Sequence, residues 1–440
     1  MFDNRAVVTI NYILPPTTCI VFQRPIVCYN YFKMIKLRHM FFLPLFFIAI
    51  FIRLYNFDNR VLFGMEQGVT LGVVADYLEN GPKLIGGPNV QRYTSTGKQL
   101  FVGSLYFYHL MPVMKMLGPD PVPMTYWSLF LNLLTGVLIY YLFSRRFSIL
   151  VGWFSAFFYF LSLTMIQQSL TVWLLNPLPL VGLLMLYLLL SRHTFTSLGR
   201  IFFLGLLSGI AFNLEYLNLF PVIFLFLYLC YRLRRPTLLL IFLGGIILAN
   251  IPLLAFELRH DWYHLRTLYQ YFLDTLTTPA EAKFASYHLF LFWPFFSLLT
   301  GLFSAYLWQF SRFLTFGVLL LYIFLNLHSP VFSLANRDLT VTEQKTIASK
   351  ITSLVSTDRY NVVFLPESEY RAHALRYLLT YLYHNPPAAV ENYNSLDSLF
   401  VVSDSGTTRF GEIWETSART WNIITPIYDI QPGLTLYQLK

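Results

Sequence analysis

Long apolar runs separated by short polar loops organise this chain of 440 residues. A membrane span needs roughly 20 mostly apolar residues. Runs of that kind fall near 39–56, 124–144, 148–167, 171–191, 200–214, 216–232, 237–256, 286–308 and 312–328, about nine spans by the length rule. Asn213, Glu215 and Asn218 mark the turn between the two tightest runs. The segment 100–117 is also apolar but holds His109, Pro112 and Lys115, so it reads as interfacial or re-entrant. An amphipathic helix is predicted over 66–80.

Beyond about residue 331 the pattern is that of a soluble domain. Asn361–Leu365 and Leu399–Val402 read as buried strands, and Trp421–Ile430 and Leu434–Leu439 as two more. Glu369–His384 carries a helical stripe of Ala372, Leu375, Leu378, Leu379 and Leu382. The expected fold class is an α-helical polytopic membrane protein with a small C-terminal α/β domain. The expected divisions are a tail at 1–33, a membrane domain at 34–330 with its first outer loop at 57–123, and a soluble domain at 331–440. Met34 opens a conventional start, Met-Ile-Lys-Leu-Arg-His, just before the first run, so 1–33 reads as an over-long start or a disordered cytoplasmic tail.

Composition supports the membrane reading. Hydrophobic residues make up 56% of the chain and charged residues 12%, about half the charged share of a soluble domain. The net charge of +9 would point to nucleic acid in a soluble protein. Here the basic residues sit in short loops, so no nucleic-acid partner is expected. Lys33, Lys36 and Arg38, Arg145 and Arg146, Arg192 and Arg200, Arg232, Arg234 and Arg235, and Arg312 all fall on one face if the spans alternate. The positive-inside rule makes that face cytoplasmic. The loops at 57–123 and 257–285 and the tail after 328 are then expected outside. Cys19, Cys28 and Cys230 are too few for a disulfide framework.

Charge at a membrane boundary is costly and marks function by default. Two clusters qualify, both on the expected outer face. The first is Phe63-Gly-Met-Glu-Gln-Gly-Val-Thr70, where Glu66 could serve as a general base or simply favour a helix N-terminus. Asp76 follows on the same helix as a second acid. The other cluster is Phe256-Glu-Leu-Arg-His-Asp-Trp-Tyr-His264. Arg259 suits a phosphate through its rigid donor fork, and Glu257 is a further acid. His260 and His264 stand four apart, but no third ligand is evident and no metal is expected. Lys98 in the first outer loop is a plausible phosphate contact or a solvated side chain. Gln167 and Gln168 read as loop caps, and Asn176-Pro177 as a kink in the fourth span.

These stretches resemble the C-type (GT-C) glycosyltransferases, polytopic membrane enzymes that include the protein O-mannosyltransferases (glycosyltransferase family 39) and the lipid A aminoarabinose transferases. Phe63-Gly-Met-Glu-Gln-Gly68 with Lys83-Leu-Ile-Gly-Gly87, then Pro252–His260, then Tyr370-Arg and Arg376-Tyr-Leu-Leu379 carry the likeness, over roughly 34–440. The resemblance implies a polyprenyl-phosphate-linked sugar donor in the cell membrane, attacked on the extracytoplasmic face with inversion, without a cofactor. It maps the base to Glu66 and the donor phosphate to Arg259, with His260 as a weaker companion. It leaves the acceptor open among protein, lipid and glycan. The sequence departs from the pattern where relatives carry Asp at the Glu66 position and Arg-Asp where Val69-Thr70 stand. A transporter or flippase of lipid-linked saccharides and a non-catalytic assembly protein are the alternatives. No internal repeat is visible and the spans carry little midplane charge, which favours the enzyme.

Overall fold

The computed structural model describes residues 41–233, 235–277, 286–327, 339–355, 359–366 and 370–440. The described residues from Leu45 to Lys440 form one compact unit. The expected tail at 1–33, the basic residues Lys33, Lys36, Arg38 and Arg234, and Cys19 and Cys28 lie outside the described residues.

A helix stands at each expected run, though often shorter or broken. The first elements are α1 (Phe42–Leu54), α2 (Met65–Asn80), a hairpin of β1 (Pro88–Tyr93) and β2 (Gln99–Phe101), and α3 (Leu105–Leu117). Then come α4 (Pro121–Arg146), α5 (Ile149–Phe160), α6 (Leu163–Gln168), α7 (Leu178–Leu190), α8 (Leu198–Leu214) and α9 (Leu219–Arg232). The helical part ends with α10 (Pro236–Ala249), α11 (Ile251–Arg259), α12 (Tyr263–Thr277), α13 (Trp293–Phe310) and α14 (Arg312–Leu327).

Two stretches, Pro121–Arg146 and Tyr287–Phe310, are long and apolar enough to cross a membrane among the described residues. The pair α10 and α11 makes a third if its 72° bend is one broken span. The other apolar helices are shorter than a full span, among them Phe42–Leu54 and Leu178–Leu190. The nine-span count is therefore coarser in the structure than the hydrophobic pattern suggests.

The shortening has local causes. α7 starts at Leu178, so Asn176-Pro177 precedes a helix rather than kinking one. The amide of Asn176 instead donates to the Thr171 carbonyl (2.7 Å) and to Ser128 (2.6 Å), holding residues 169–177 as an ordered non-helical loop. Gln168, expected to be a loop cap, is buried and donates to the carbonyls of Leu175 and Asn176. Asn250 breaks α10 from α11 because its amide reaches back to the carbonyls of Gly209 (3.2 Å) and Ile246 (2.9 Å). The expected interfacial stretch 100–117 divides into β2 and α3. α8 and α10 cross closely: a Cβ at Gly205 would lie 2.0 Å from the Phe242 carbonyl oxygen, and one at Gly245 would lie 2.4 Å from that of Phe202. Small residues are what such crossings require. One buried cation within a predicted span went unremarked in the hydrophobic pattern. Arg53 is fully buried and donates to Asn132 and to the carbonyls of Ala49 and Phe160.

α4 is about 39 Å long at 1.5 Å per residue, and its two ends face different company. At its C-terminal end Arg146 donates to the Leu190 carbonyl, Arg200 donates to Ser191, and Arg232 lies 5.8 Å over the Phe195 ring. Three basic loops thus meet there. At its N-terminal end, Asp120 is paired with Lys345 at 2.6 Å, and the Tyr377 hydroxyl donates to the Pro119 carbonyl. The first loop and the C-terminal region therefore meet at the end away from the basic loops.

The C-terminal region comprises α15 (Val341–Leu354), β3 (Tyr360–Phe364), α16 (His373–Tyr377) running into a π turn, β4 (Ser398–Ser403), α17 (Trp414–Ser417), β5 (Ile424–Gln431) and β6 (Leu434–Leu439). Its sheet has the order β3-β4-β6-β5, parallel between β3 and β4 and antiparallel elsewhere. β3 and β4 are buried throughout, as their mainly apolar runs favour, with Asn361, Ser398 and Ser403 buried among them. α15 was not foreseen; Thr340 and Glu343 cap it reciprocally.

Candidate functional site

Gly64 ends the chain's extended approach, its backbone N–H donates to Gln67, and α2 begins with Glu66 in its first turn. That position favours a carboxylate through the helix dipole, and it also aims the side chain into a cleft. Glu66, Val69 and Thr70 form one wall. The other walls are Leu100–Gly103 of the hairpin, the loop residues Trp173–Leu175, the turn Asn213–Tyr216 after α8, and Tyr287. The cleft encloses about 860 Å³, counting the part open to solvent.

Two carboxylates, Glu66 and Glu215, line it, and among the described lining residues there is no Lys, Arg or His. Glu215, read from sequence as a turn marker, accepts from the Leu217 N–H and stands 3.9 Å from His288. Asn213 is fixed by accepting from the Leu105 N–H (3.1 Å) and donating to Asn250 (3.2 Å), so the helix break at Asn250 is tied to the cleft wall. Trp173 packs edge-on against Tyr287, with ring centroids 5.0 Å apart.

α2 is held from behind by the C-terminal region. A Cβ on Gly68 would fall 2.7 Å from the backbone of His373, so only glycine permits α16 to approach this closely. Gln344 of α15 donates to the Phe63 carbonyl at 2.7 Å. Burial, together with the nearby guanidiniums of Arg376 and Arg371, pulls the His373 imidazole down to about 4, so it is uncharged at neutral pH.

No protein-family model and no curated protein sequence matches the chain. Solved structures do match in fold. The crystal structure of ArnT from Cupriavidus metallidurans bound to undecaprenyl phosphate aligns with a TM-score of 0.56 at 11% identity, over 90% of this chain and 98% of that one. The apo structure of the same protein aligns with a TM-score of 0.58 at 12% identity, over 93% and 98%. The chain therefore shares the fold of that protein.

The other residues singled out in the sequence take different places. Asp76 does not line the cleft; it is paired with Lys83 and accepts from Asn80 at 2.8 Å. Partial burial pulls its pKa upward, but these hydrogen bonds outweigh it and hold the carboxyl below its ordinary value. Arg259 and His260 are exposed at the end of α11 and do not line the cleft either. His260 stacks on Phe256 with centroids 4.2 Å apart, while His264 is buried, so the two imidazoles do not converge. Among the described residues no group of three His, Cys, Asp or Glu side chains is arranged to hold a metal. Lys98 is exposed, with its ammonium 5.7 Å from the Tyr263 ring centre, which brings the hairpin beside the segment carrying Arg259.

Glu257 is buried one layer behind the cleft, where its carboxylate accepts from the Leu265 N–H at 3.0 Å and caps α12. The turn between α11 and α12 holds Asp261 and Trp262 at φ of 49° and 59°, a strain of roughly 1 kcal/mol or more for each non-glycine residue. His264 emerges from it against the Phe101 carbonyl and the Tyr216 ring. The pKa of His264 is lowered, chiefly by burial, against opposing pulls from the Phe101 carbonyl and from Glu257. The residues that sequence reasoning missed are Trp173, Glu215, Tyr216 and Tyr287. Only Glu215 carried a usable signal, as an acid between two apolar runs in a short loop without Lys or Arg.

Proposed function

We propose that the protein is a membrane glycosyltransferase that moves a sugar from a polyprenyl-phosphate donor to an acceptor hydroxyl at the cleft. The observation that carries this reading is Glu66, a carboxylate on the wall of a cleft in a chain that shares its fold with a protein captured holding undecaprenyl phosphate. Glu66 takes the proton of the acceptor hydroxyl as its oxygen bonds to the anomeric carbon, while the bond from that carbon to the phosphate oxygen breaks. Attack opposite the leaving phosphate inverts the anomeric centre. The polyprenyl phosphate departs with the bonding pair.

The cleft lining holds carboxylates and no cation, so the phosphate belongs at the rim, with Arg259, His260 and Lys98 as its partners. That division suits a lipid donor, whose polar head enters the protein while its tail stays in the bilayer. Transfer takes place on the extracytoplasmic side of the cell membrane. The contact of the first loop with the C-terminal region, away from the basic loops, supports placing both outside.

The test is transfer from radiolabelled polyprenyl-phosphate sugars by the purified full-length protein and by Glu66→Gln. Glutamine keeps the shape and removes the base, so a loss of roughly 100-fold or more is expected. Transfer by Glu66→Gln at the parent rate would reject the base assignment. A parent protein inactive with every polyprenyl-phosphate sugar tried would reject the reaction class.

A further inference from the structure

The pair Glu257 and His264 is unused by the reaction above, and its hydrogen count is informative. Both side chains are 1% exposed. His264 Nε2 lies 2.9 Å from the Phe101 carbonyl oxygen. A carbonyl can only accept, so Nε2 carries a hydrogen. His264 Nδ1 then lies 3.3 Å from Glu257 Oε1, and neither Nδ1 nor Glu257 Oε2 makes a well-aligned hydrogen bond. A neutral imidazole protonated on Nε2 presents a lone pair at Nδ1, and an ionised carboxylate presents only lone pairs. Two lone-pair donors facing each other without solvent repel strongly. One proton must therefore sit between them, and it makes the pair neutral overall.

The pair also joins three parts that otherwise belong to distant stretches of sequence. Glu257 caps α12 through Leu265 and so holds the strained turn at Asp261 and Trp262. His264 ties that turn to Phe101 of the hairpin and packs on Tyr216, with ring centroids 5.0 Å apart. Phe101 and Tyr216 both line the cleft. We propose that Glu257 and His264, sharing one proton, are positioning residues that lock the hairpin wall and the Tyr216 wall of the cleft to the turn bearing Arg259. The link to sugar transfer rests on the function proposed above; the mechanical claim does not.

Amide hydrogen exchange at residues 100–103 of the full-length protein in detergent tests the mechanical claim without any substrate. His264→Phe removes the bond to Phe101, and Glu257→Leu removes both the cap and the shared proton. Each should speed exchange there by about tenfold or more, because a local opening replaces a closed contact. Glu257→Gln is the discriminating variant. Glu257 Oε1 alone both accepts from Leu265 and faces Nδ1, so the amide can keep only one of the two contacts, and exchange should rise above the parent rate yet stay below that of Glu257→Leu. Exchange in Glu257→Gln at the parent rate would overturn the shared-proton account, because an amide oxygen that holds the cap brings no proton to Nδ1. Unchanged exchange in His264→Phe would overturn the lock itself. In the transfer assay, His264→Phe should raise the donor KM by about tenfold with a smaller change in kcat, because it loosens a wall and leaves the base. A parent protein without transfer activity would remove the function and leave the exchange result to judge the lock.

Discussion

Two segments, 63–70 and 256–264, carry boundary charges of the same kind, yet the fold treats them oppositely. In the first, an unbroken helix starts two residues before Gln67, and the charged Glu66 is presented to a cleft. In the second, a helix stops, the chain turns through two left-handed residues, and the charges separate by burial. Glu257 and His264 go inside while Arg259 and His260 go outside. The comparison teaches that spacing along a chain orders charges only while the helix continues. Where it breaks, neighbours in sequence acquire unrelated environments, and residues such as Glu215 and Tyr216 from elsewhere take the cleft wall instead.

That contrast can be broken experimentally. The largest effect after loss of the base is expected from the acid that sequence undervalued. Glu215→Leu should lower transfer by roughly 10- to 100-fold in a radiolabel assay while the protein stays folded, because it removes one of two cleft carboxylates. An effect no larger than that of Asp76→Asn would return Glu215 to a turn marker. Next is Gly68→Leu, whose side chain must displace the His373 backbone. Thermal unfolding should show a loss of about 1–3 kcal/mol, with α2 released from the C-terminal region; unchanged stability would contradict the tight approach.

Smaller effects sharpen the same picture. His373 is held at about 4 in the folded protein against an ordinary 6.5. A folded pKa below the unfolded one means that the unfolded chain binds the proton first. Stability at this site is therefore full above about 6.5, falls as pH drops toward 4, and levels below that, by on the order of 2 kcal/mol. Unfolding midpoints measured across that range should flatten in His373→Gln. A slope identical to the parent's would place the acid sensitivity elsewhere. Arg259→Lys should raise the donor KM several-fold because a point charge replaces a fork, whereas Arg200→Lys at the other end of the bundle should not. Equal effects would remove Arg259 from the phosphate site. The smallest change is Asp76→Asn. It should leave transfer near the parent level and cost a little stability at neutral pH, where the ionised carboxylate is paired, a difference that vanishes at the acid end where that carboxylate would titrate.

The positions of the helices were legible because apolar length is a strong signal, and so were α2 and the strands of the C-terminal sheet. The breaks were not. Asn250 breaks a helix and Asn176 holds a loop where a helix is expected, each by bonding to backbone carbonyls, and an apolar run around a single Asn shows no sign of that. Residues 171–177 looked like the start of a span because their composition is apolar, yet side-chain hydrogen bonds from Gln168 and Asn176 hold them as a loop. Glu66 was readable from its place beyond the first run. The walls opposite it were not, since Trp173, Tyr216 and Tyr287 come from three separate stretches of the chain and look like interfacial aromatics.

The central claim is that the Glu66 cleft receives the head of a polyprenyl-phosphate lipid. Its most direct test is photolabelling of the purified full-length protein with a polyprenyl phosphate bearing a photoreactive group beside the phosphate, followed by peptide mapping. The account predicts labelling within 98–103, 173–175 and 257–264, suppressed by unlabelled polyprenyl phosphate. Competable labelling confined to the basic end, around Arg146, Arg200 and Arg232, with these segments untouched, would contradict it.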